Sequence, residues 1–199
     1  MGLAARGPFR ARDLDALGVP RTYLRRLIDR GLLEQAARGL YMAVDAPITE
    51  LHSLVEVAAR VPHAVICLLS ALQVHELTSE APHAVWVLIE THARAPAFTS
   101  PHLKIVRAGG AALKRGVEAR TVEGVRVKLT NPAKTVADCF RYRRHVGLEV
   151  ALSALREYLI RSRRSRGKDA QRFSVDVLTG AARVDRVYNV MRPYLEALT

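Results

Sequence analysis

Apolar positions follow two periods along this chain, and the switch between them lays out its plan. Leu24, Leu27, Ile28 and Gly31 recur at helical spacing, which puts them on one stripe of an amphipathic helix running from about Arg21 to Arg30. At ~100° per residue, Thr22, Arg25, Arg26 and Asp29 fall on the opposite, solvent side. Just ahead, "RDLDAL" (12–17) reads as a short helix closed by Gly18, and Pro20 suits the first turn of the helix that follows. Two short helices joined by a glycine-containing turn make a helix-turn-helix pattern. "LLEQAARGLY" then alternates loosely about Arg38-Gly39, which predicts a two-stranded ribbon with its tip at 37–39. Helix, turn, helix and ribbon come in the order of a winged helix. The scaffold helix that such folds place first has only "MGLAA" ahead of Arg6, so it is expected to be a stub or to lie upstream.

Further on, Ile48–Val61 and Val65–Leu77 read as two helices divided by Pro62. "AVWVLIE" (84–90) is apolar and β-branched, a strand. "HLKIVRA", "VEARTVEG" and "VRVKLTN" are strand-like, with Glu123-Gly124 as a hairpin turn and Val125, Val127 and Leu129 on one face. Asn131-Pro132 predicts a capped helix start. Gly147–Arg163 reads as a long helix and Ser174–Leu198 as helical again, with a break near Thr179-Gly180. Helices give way to a sheet near Pro82. The expected fold is α+β: a winged helix-turn-helix domain with a helical extension over 1–80, then a mixed α/β domain over 81–199.

Composition adds one strong fact. With 199 residues and 49% hydrophobic positions the chain can bury a core, but 31 Lys/Arg against 19 acids leave a net charge of +12. Such an excess concerns partners rather than fold, and polyanions come first. Residues 1–45 carry a net +3, whereas 141–172 hold ten basic residues against three acids, a net +7. The run "REYLIRSRRSRGKDAQR" is therefore the most basic part of the chain, and Arg161, Arg163, Arg164 and Arg166 form its candidate patch. A solvated helix end and a polyanion or acidic-protein contact both account for it. No apolar run approaches the ~20 residues that span a bilayer, and "MGLAARG" lacks the apolar stretch of a signal peptide. Cys67 and Cys139 lie among apolar neighbours, as reduced thiols do, so a cytoplasmic protein without membrane contact is expected.

Catalytic patterns are missing. The seven histidines and two cysteines show no metal-ligand spacing, although His63, Cys67 and His75 would share a helix flank. Neither a serine elbow nor a glycine-rich phosphate loop is present. A nuclease built on Glu90, Glu118 and Lys128 lacks a paired acid. The expectation is a protein with no enzymatic activity, no cofactor and no metal. On α-helical spacing Ala133, Val136, Ala137 and Phe140 form a core stripe, and Lys134 and Asp138 are expected to pair on the surface beside it.

"NPAKTVADCFRYRRHVGLEVALSALREYL" strongly resembles the AbiEi family of bacterial abortive-infection antitoxins, the antitoxins of type IV toxin–antitoxin systems. The resemblance extends to "RARDLDALGVPRTYLRRLIDRGLLEQAARGLY", "ICLLSALQVHEL", Val85-Trp86 and "MRPYLEAL", in the family's order. It implies a winged helix that represses its own operon by binding inverted repeats in double-stranded DNA, and a second domain that neutralises a cognate nucleotidyltransferase toxin. It implies DNA contacts at Arg21, Thr22, Arg25 and Arg26, with Arg38 on the wing; the helical wheel reaches Arg25 and Arg26 independently. A monomer or weak dimer that pairs on DNA is expected. The rival functions are a stand-alone transcriptional regulator with a ligand-sensing or dimerising second domain, and a nuclease with a DNA-binding head.

Overall fold

Phe9–Arg10 forms a strand, β1, that no alternation in the sequence announces. In the computed structural model, which describes residues 9–15, 17–37, 39–45 and 49–198, it leads into α1 (Ala11–Asp15) and α2 (Thr22–Asp29), then β2 (Leu33–Ala37) and β3 (Leu40–Ala43). Phe9 pairs antiparallel with Tyr41 and Arg10 with Leu40, so the small sheet runs β1-β3-β2. The ribbon carries a register shift between Glu34 and Ala37. Phe9, Leu14, Leu24 and Leu33 form its core, with Leu27 and Ile28 packed against them. The apolar stripe of α2 thus faces inward, and the winged-helix order holds. The expected scaffold helix falls on residues outside those described.

Two compact units divide the chain: residues up to His63 with Ala119–Val127, and Ala64–Glu118 with the residues from Lys128 onward. In the first, α3 (His52–Arg60) follows the ribbon, and Arg10 Nη2 donates to the Ala59 carbonyl at 2.7 Å. Glu123 and Gly124 both have positive φ, 47° and 76°, the backbone of a tight hairpin turn. The Glu123 carboxylate accepts from Thr49 N at 2.8 Å, from Thr49 Oγ1 at 2.7 Å and from His52 Nδ1 at 2.7 Å. It thereby closes the start of α3, whose N-cap Leu51 has no polar side chain to offer. Burial alone would raise this carboxyl, but the hydrogen bonds from His52 and Thr49 hold it below the usual carboxylate range. Its contribution is therefore present above the unfolded carboxylate pKa and lost as pH falls through the lower folded one. Glu123→Gln is expected to cost about 1–2 kcal/mol near neutral pH, a difference that denaturant titrations should find shrinking on acidification.

The second unit contains β4 (Val65–Ile66), α4 (Leu68–Val74), β5 (Val85–Glu90), β6 (Leu103–Ala108) and α5 (Gly110–Lys114), together with the start of β7 (Val117–Val122) and the end of β8 (Val125–Thr130), hairpin strands whose residues Ala119–Val127 count with the first unit. Six helices follow: α6 (Pro132–Arg141), α7 (Arg143–Val146), α8 (Leu148–Arg164), α9 (Lys168–Arg172), α10 (Val175–Val184) and α11 (Tyr188–Leu198). The sheet order is β6-β5-β4-β8-β7, with β4 antiparallel to β5 and parallel to β8, and β6 parallel to β5. Helices α4, α6, α8, α10 and α11 supply the core that covers one side.

Three elements differ from the sequence reading. Val65–Leu77 is not one helix: Val65 and Ile66 join the middle of the sheet, and the helix starts only at Leu68. A short apolar run buried on both sides reads alike as helix or strand, so periodicity cannot separate them. Residues 64–80, read as a helical extension of the first domain, consequently belong to the second unit. The terminal break lies at Asp185–Val187 rather than at Gly180, because the Asp185 backbone and carboxylate are held by Arg141 and Lys134. Finally, Lys134 and Asp138 are not a surface pair. Every residue of α6 from Pro132 to Phe140 is buried, polar flank included.

Candidate nucleic-acid interface

Helix α2 presents its charge outward because its three apolar side chains, Leu24, Leu27 and Ile28, are spent on the core. Thr22, Arg25, Arg26, Asp29 and Arg30 are all exposed. Arg21, at the N-cap position, is exposed too, but its guanidinium is bidentate on Asp15, Nε to Oδ1 at 3.0 Å and Nη2 to Oδ2. That pair ties the end of α1 to the start of α2 and holds the Asp15 carboxyl below its ordinary value. Arg21 thus locks the turn, while Arg25 and Arg26 keep their charge uncompensated by any ion pair among the described residues. The Arg26 guanidinium lies 5.7 Å over the Tyr23 ring. Tyr23, 49% exposed, and Arg30 belong to this face and were not singled out by charge and periodicity. A wheel that counts aromatic residues with the cations would have found Tyr23. Arg38, the expected wing-tip contact, lies outside the described residues.

The basic segment of the second unit divides in a way its sequence does not reveal. Arg161 is held: Nη2 donates to Glu76 Oε2 at 2.7 Å and to the Glu76 carbonyl at 3.2 Å, and the guanidinium stacks 5.7 Å over Phe173. Arg172 pairs with Glu118 at 2.8 Å. Arg163 donates to the Leu198 carbonyl at 2.7 Å, and Arg166 to Ser165 and Arg163 carbonyls at 3.1 and 3.4 Å. Arg163, Arg164 and Arg166 are exposed; Arg163 and Arg164 end α8 on an outward stripe with Arg156 and the exposed Ile160, and Arg166 follows just past the helix end. Of the four expected patch residues, three are solvent-exposed and Arg161 is a strut.

Two further clusters of charge in the second unit are self-compensated. Lys134 Nζ donates to Asp138 Oδ1 at 2.6 Å and to Asp185 Oδ1 and Oδ2 at 2.8 and 3.0 Å, in a cluster closed to solvent. A cleft of about 420 Å³ is lined by Glu118, Asn131, Pro132, Gln171, Arg172 and Val177, but its two charges neutralise each other. Glu90 on β5 and Glu118 on β7 are separated by β4 and β8, about 14 Å at normal strand spacing. His63 is exposed, whereas Cys67 is buried and His75 is spent on the Thr130 carbonyl at 2.7 Å. Among the described residues no three His, Cys, Asp or Glu side chains converge as a metal site, and no helix is long and apolar enough to cross a membrane.

Comparison with known proteins agrees with this geometry where the arginine face lies. Residues 3–44 match the family model described as a transcriptional regulator, AbiEi antitoxin. The AbiEi resemblance read from the sequence is thus met again over the winged-helix segment. Among solved structures, the RV2827C protein from Mycobacterium tuberculosis superposes with a TM-score of 0.53 at 14% identity, over 97% of this chain and 77% of that one. At that identity the likeness is one of fold, a mixed α+β architecture spanning both units. No curated protein matches the sequence.

Proposed function

We propose that the chain is the antitoxin of a toxin–antitoxin system, that its winged helix represses its own operon at inverted repeats, and that its second unit neutralises a nucleotidyltransferase toxin. The observation that carries the DNA half is the outward face of α2, where Arg25 and Arg26 hold uncompensated charge on the second helix of a helix-turn-helix. Arginine is the residue best matched to guanine edges and to phosphates. One such module makes few contacts, so two copies occupy the two half-sites, one or two helical turns apart. The exposed basic stripe around Ile160 supports the other half. A nucleotidyltransferase holds metal with carboxylates, so the mouth of its site is electronegative and a basic face complements it.

Co-expression with the product of the adjacent gene, scored for rescue of growth, tests the pairing directly, and an adjacent gene that encodes no nucleotidyltransferase counts against it. The sharper test reverses the charge at Arg163, Arg164 and Arg166 and leaves Arg161 in place to hold Glu76. Growth rescue is expected to fail while promoter affinity stays within about twofold, since these residues lie off the winged helix. Rescue that persists while operator affinity falls, with a salt slope shallower by about 0.9 per lost phosphate contact, would give the patch to DNA instead.

A further inference from the structure

Asp29 stands where a phosphate-seeking helix is least served by a carboxylate. Thr22, Arg26 and Asp29 occupy i, i+4 and i+7 of α2 and form one exposed stripe. At 1.5 Å per residue the stripe is ~10 Å long, about three base-pair steps. Arg25 and Arg26 are four and three residues before Asp29, yet among the described residues Asp29 makes no ion pair and no side-chain hydrogen bond. It is also the last residue of the helix, where negative charge opposes the carbonyl end of the dipole. Asp29 therefore aids neither the helix nor its attraction to the DNA backbone. Its favourable setting is opposite a hydrogen-bond donor in a groove.

We infer that Asp29 is a specificity determinant of the winged helix, accepting a hydrogen bond from the exocyclic amine of a cytosine in the major groove. This rests on the proposed DNA-reading function of α2. In that groove the bases offer donors only at cytosine N4 and adenine N6. Adenine sets its N7 acceptor beside the amine and repels a carboxylate, whereas cytosine sets a C–H there. The same carboxylate penalises random sequence, where phosphates approach the helix face and no amine compensates. Arg26, on the same stripe and propped over Tyr23, supplies the complementary contact to a guanine about one step away. One face then carries a donor fork and an acceptor, which together read more than either alone.

The test is selection from a pool of randomised duplexes by the full chain and by Asp29→Ala and Asp29→Asn, with affinities for the selected site and for random duplex measured across salt. The wild type is expected to select a motif that fixes a C·G pair next to the position read by Arg26. Asp29→Ala should lose the preference at that pair alone and bind random duplex several-fold more tightly, so that the specificity ratio falls roughly tenfold. Asp29→Asn should move the preference toward adenine, whose N6 and N7 a carboxamide reads together. Thermal unfolding of both variants should stay level or rise, because a charge opposing the helix dipole is gone; this separates lost reading from lost fold. If both variants select the wild-type motif with the wild-type ratio, the inference is overturned and α2 remains a reader. If the wild type selects no motif, the DNA-reading function itself fails.

Discussion

Lys134→Met is expected to lower the unfolding free energy by about 3–5 kcal/mol, the cost of leaving a buried ion cluster without its cation. The Lys134 ammonium donates to Asp138 and Asp185 over 2.6–3.0 Å, and all three side chains are at most 2% exposed. Methionine preserves the stem and removes the cation, which leaves the two acids Asp138 and Asp185 facing each other out of water with no ammonium between them. Arg141, 3.9 Å from Asp185, offers only partial relief. The backbone cannot retreat to admit water, because Gly116 is pressed against the lysine stem: a Cβ there would stand 2.7 Å from Lys134 Cβ. Asp138 already shows the imbalance of one ammonium and two carboxylates. Burial foremost, with Asp185 alongside and against the pull of Lys134, pushes its carboxyl up to about 8. An unfolded aspartate titrates near ~3.9, so the folded chain keeps a proton that the unfolded chain has lost. Stability from this group is complete below pH ~4, declines as pH rises to about 8 and is level above. Asp138→Asn cannot ionise, so the wild type should lose ground to it across that window, by at most ~1.4 kcal/mol per pH unit. Denaturant melts at steps from acid to pH 9 measure the difference, and a wild-type stability that holds constant or rises relative to Asp138→Asn between pH 4 and 8 would refute this account of the cluster.

The same cluster marks where the sequence stops being legible. The stripe Ala133, Val136, Ala137 and Phe140 is periodic and was readable, as was the Asn131-Pro132 start, whose Asn131 Oδ1 accepts from Lys134 N at 2.8 Å. The polar flank of α6 was misread because the i, i+4 rule treats Lys134 and Asp138 as a self-sufficient exposed pair. Their third member, Asp185, comes 51 residues after Lys134, and no local pattern points to it. Arg161 is concealed in the same way: its partner Glu76 precedes it by 85 residues, so one strut looks like the exposed arginines beside it. Strand β1 escapes for a different reason. Two residues carry no alternation, and Phe9–Arg10 is a strand only because β3 lies alongside it. What was legible is what local physics decides. The α2 stripe, the Glu123-Gly124 turn and the β-branched run of β5 each carry their own periodicity or backbone preference. The outward side of Arg25 and Arg26 belongs to that class, because the stripe that buries Leu24, Leu27 and Ile28 fixes which way they face.

Arg26→Ala and Arg25→Ala are expected to weaken operator binding in two different ways. Arg26 lies within the exposed stripe of Thr22 and Asp29, and its guanidinium is propped by the Tyr23 ring 5.7 Å away, so it is aimed along the middle of the face. A side chain so placed meets base edges, and its loss should cost ~1–3 kcal/mol and relax the preference at one base pair. Arg25 is ~100° further round the helix, on the flank, where the groove wall is phosphate. Its loss should weaken specific and random DNA alike and reduce the salt slope by about one. Neither change touches Leu24, Leu27 or Ile28, the side chains that fix α2 to its core, so unfolding transitions should be unaltered. Tyr23→Leu separates orientation from contact: it leaves the charge of Arg26 and removes its prop, and so should reproduce part of the Arg26 loss in specificity without changing the salt slope. Fluorescence anisotropy on the promoter, repeated across salt, resolves the two signatures. Full affinity in both arginine variants would take the recognition role away from α2, and an equal loss of specificity in both would show that the flank as well as the centre of the face reads bases.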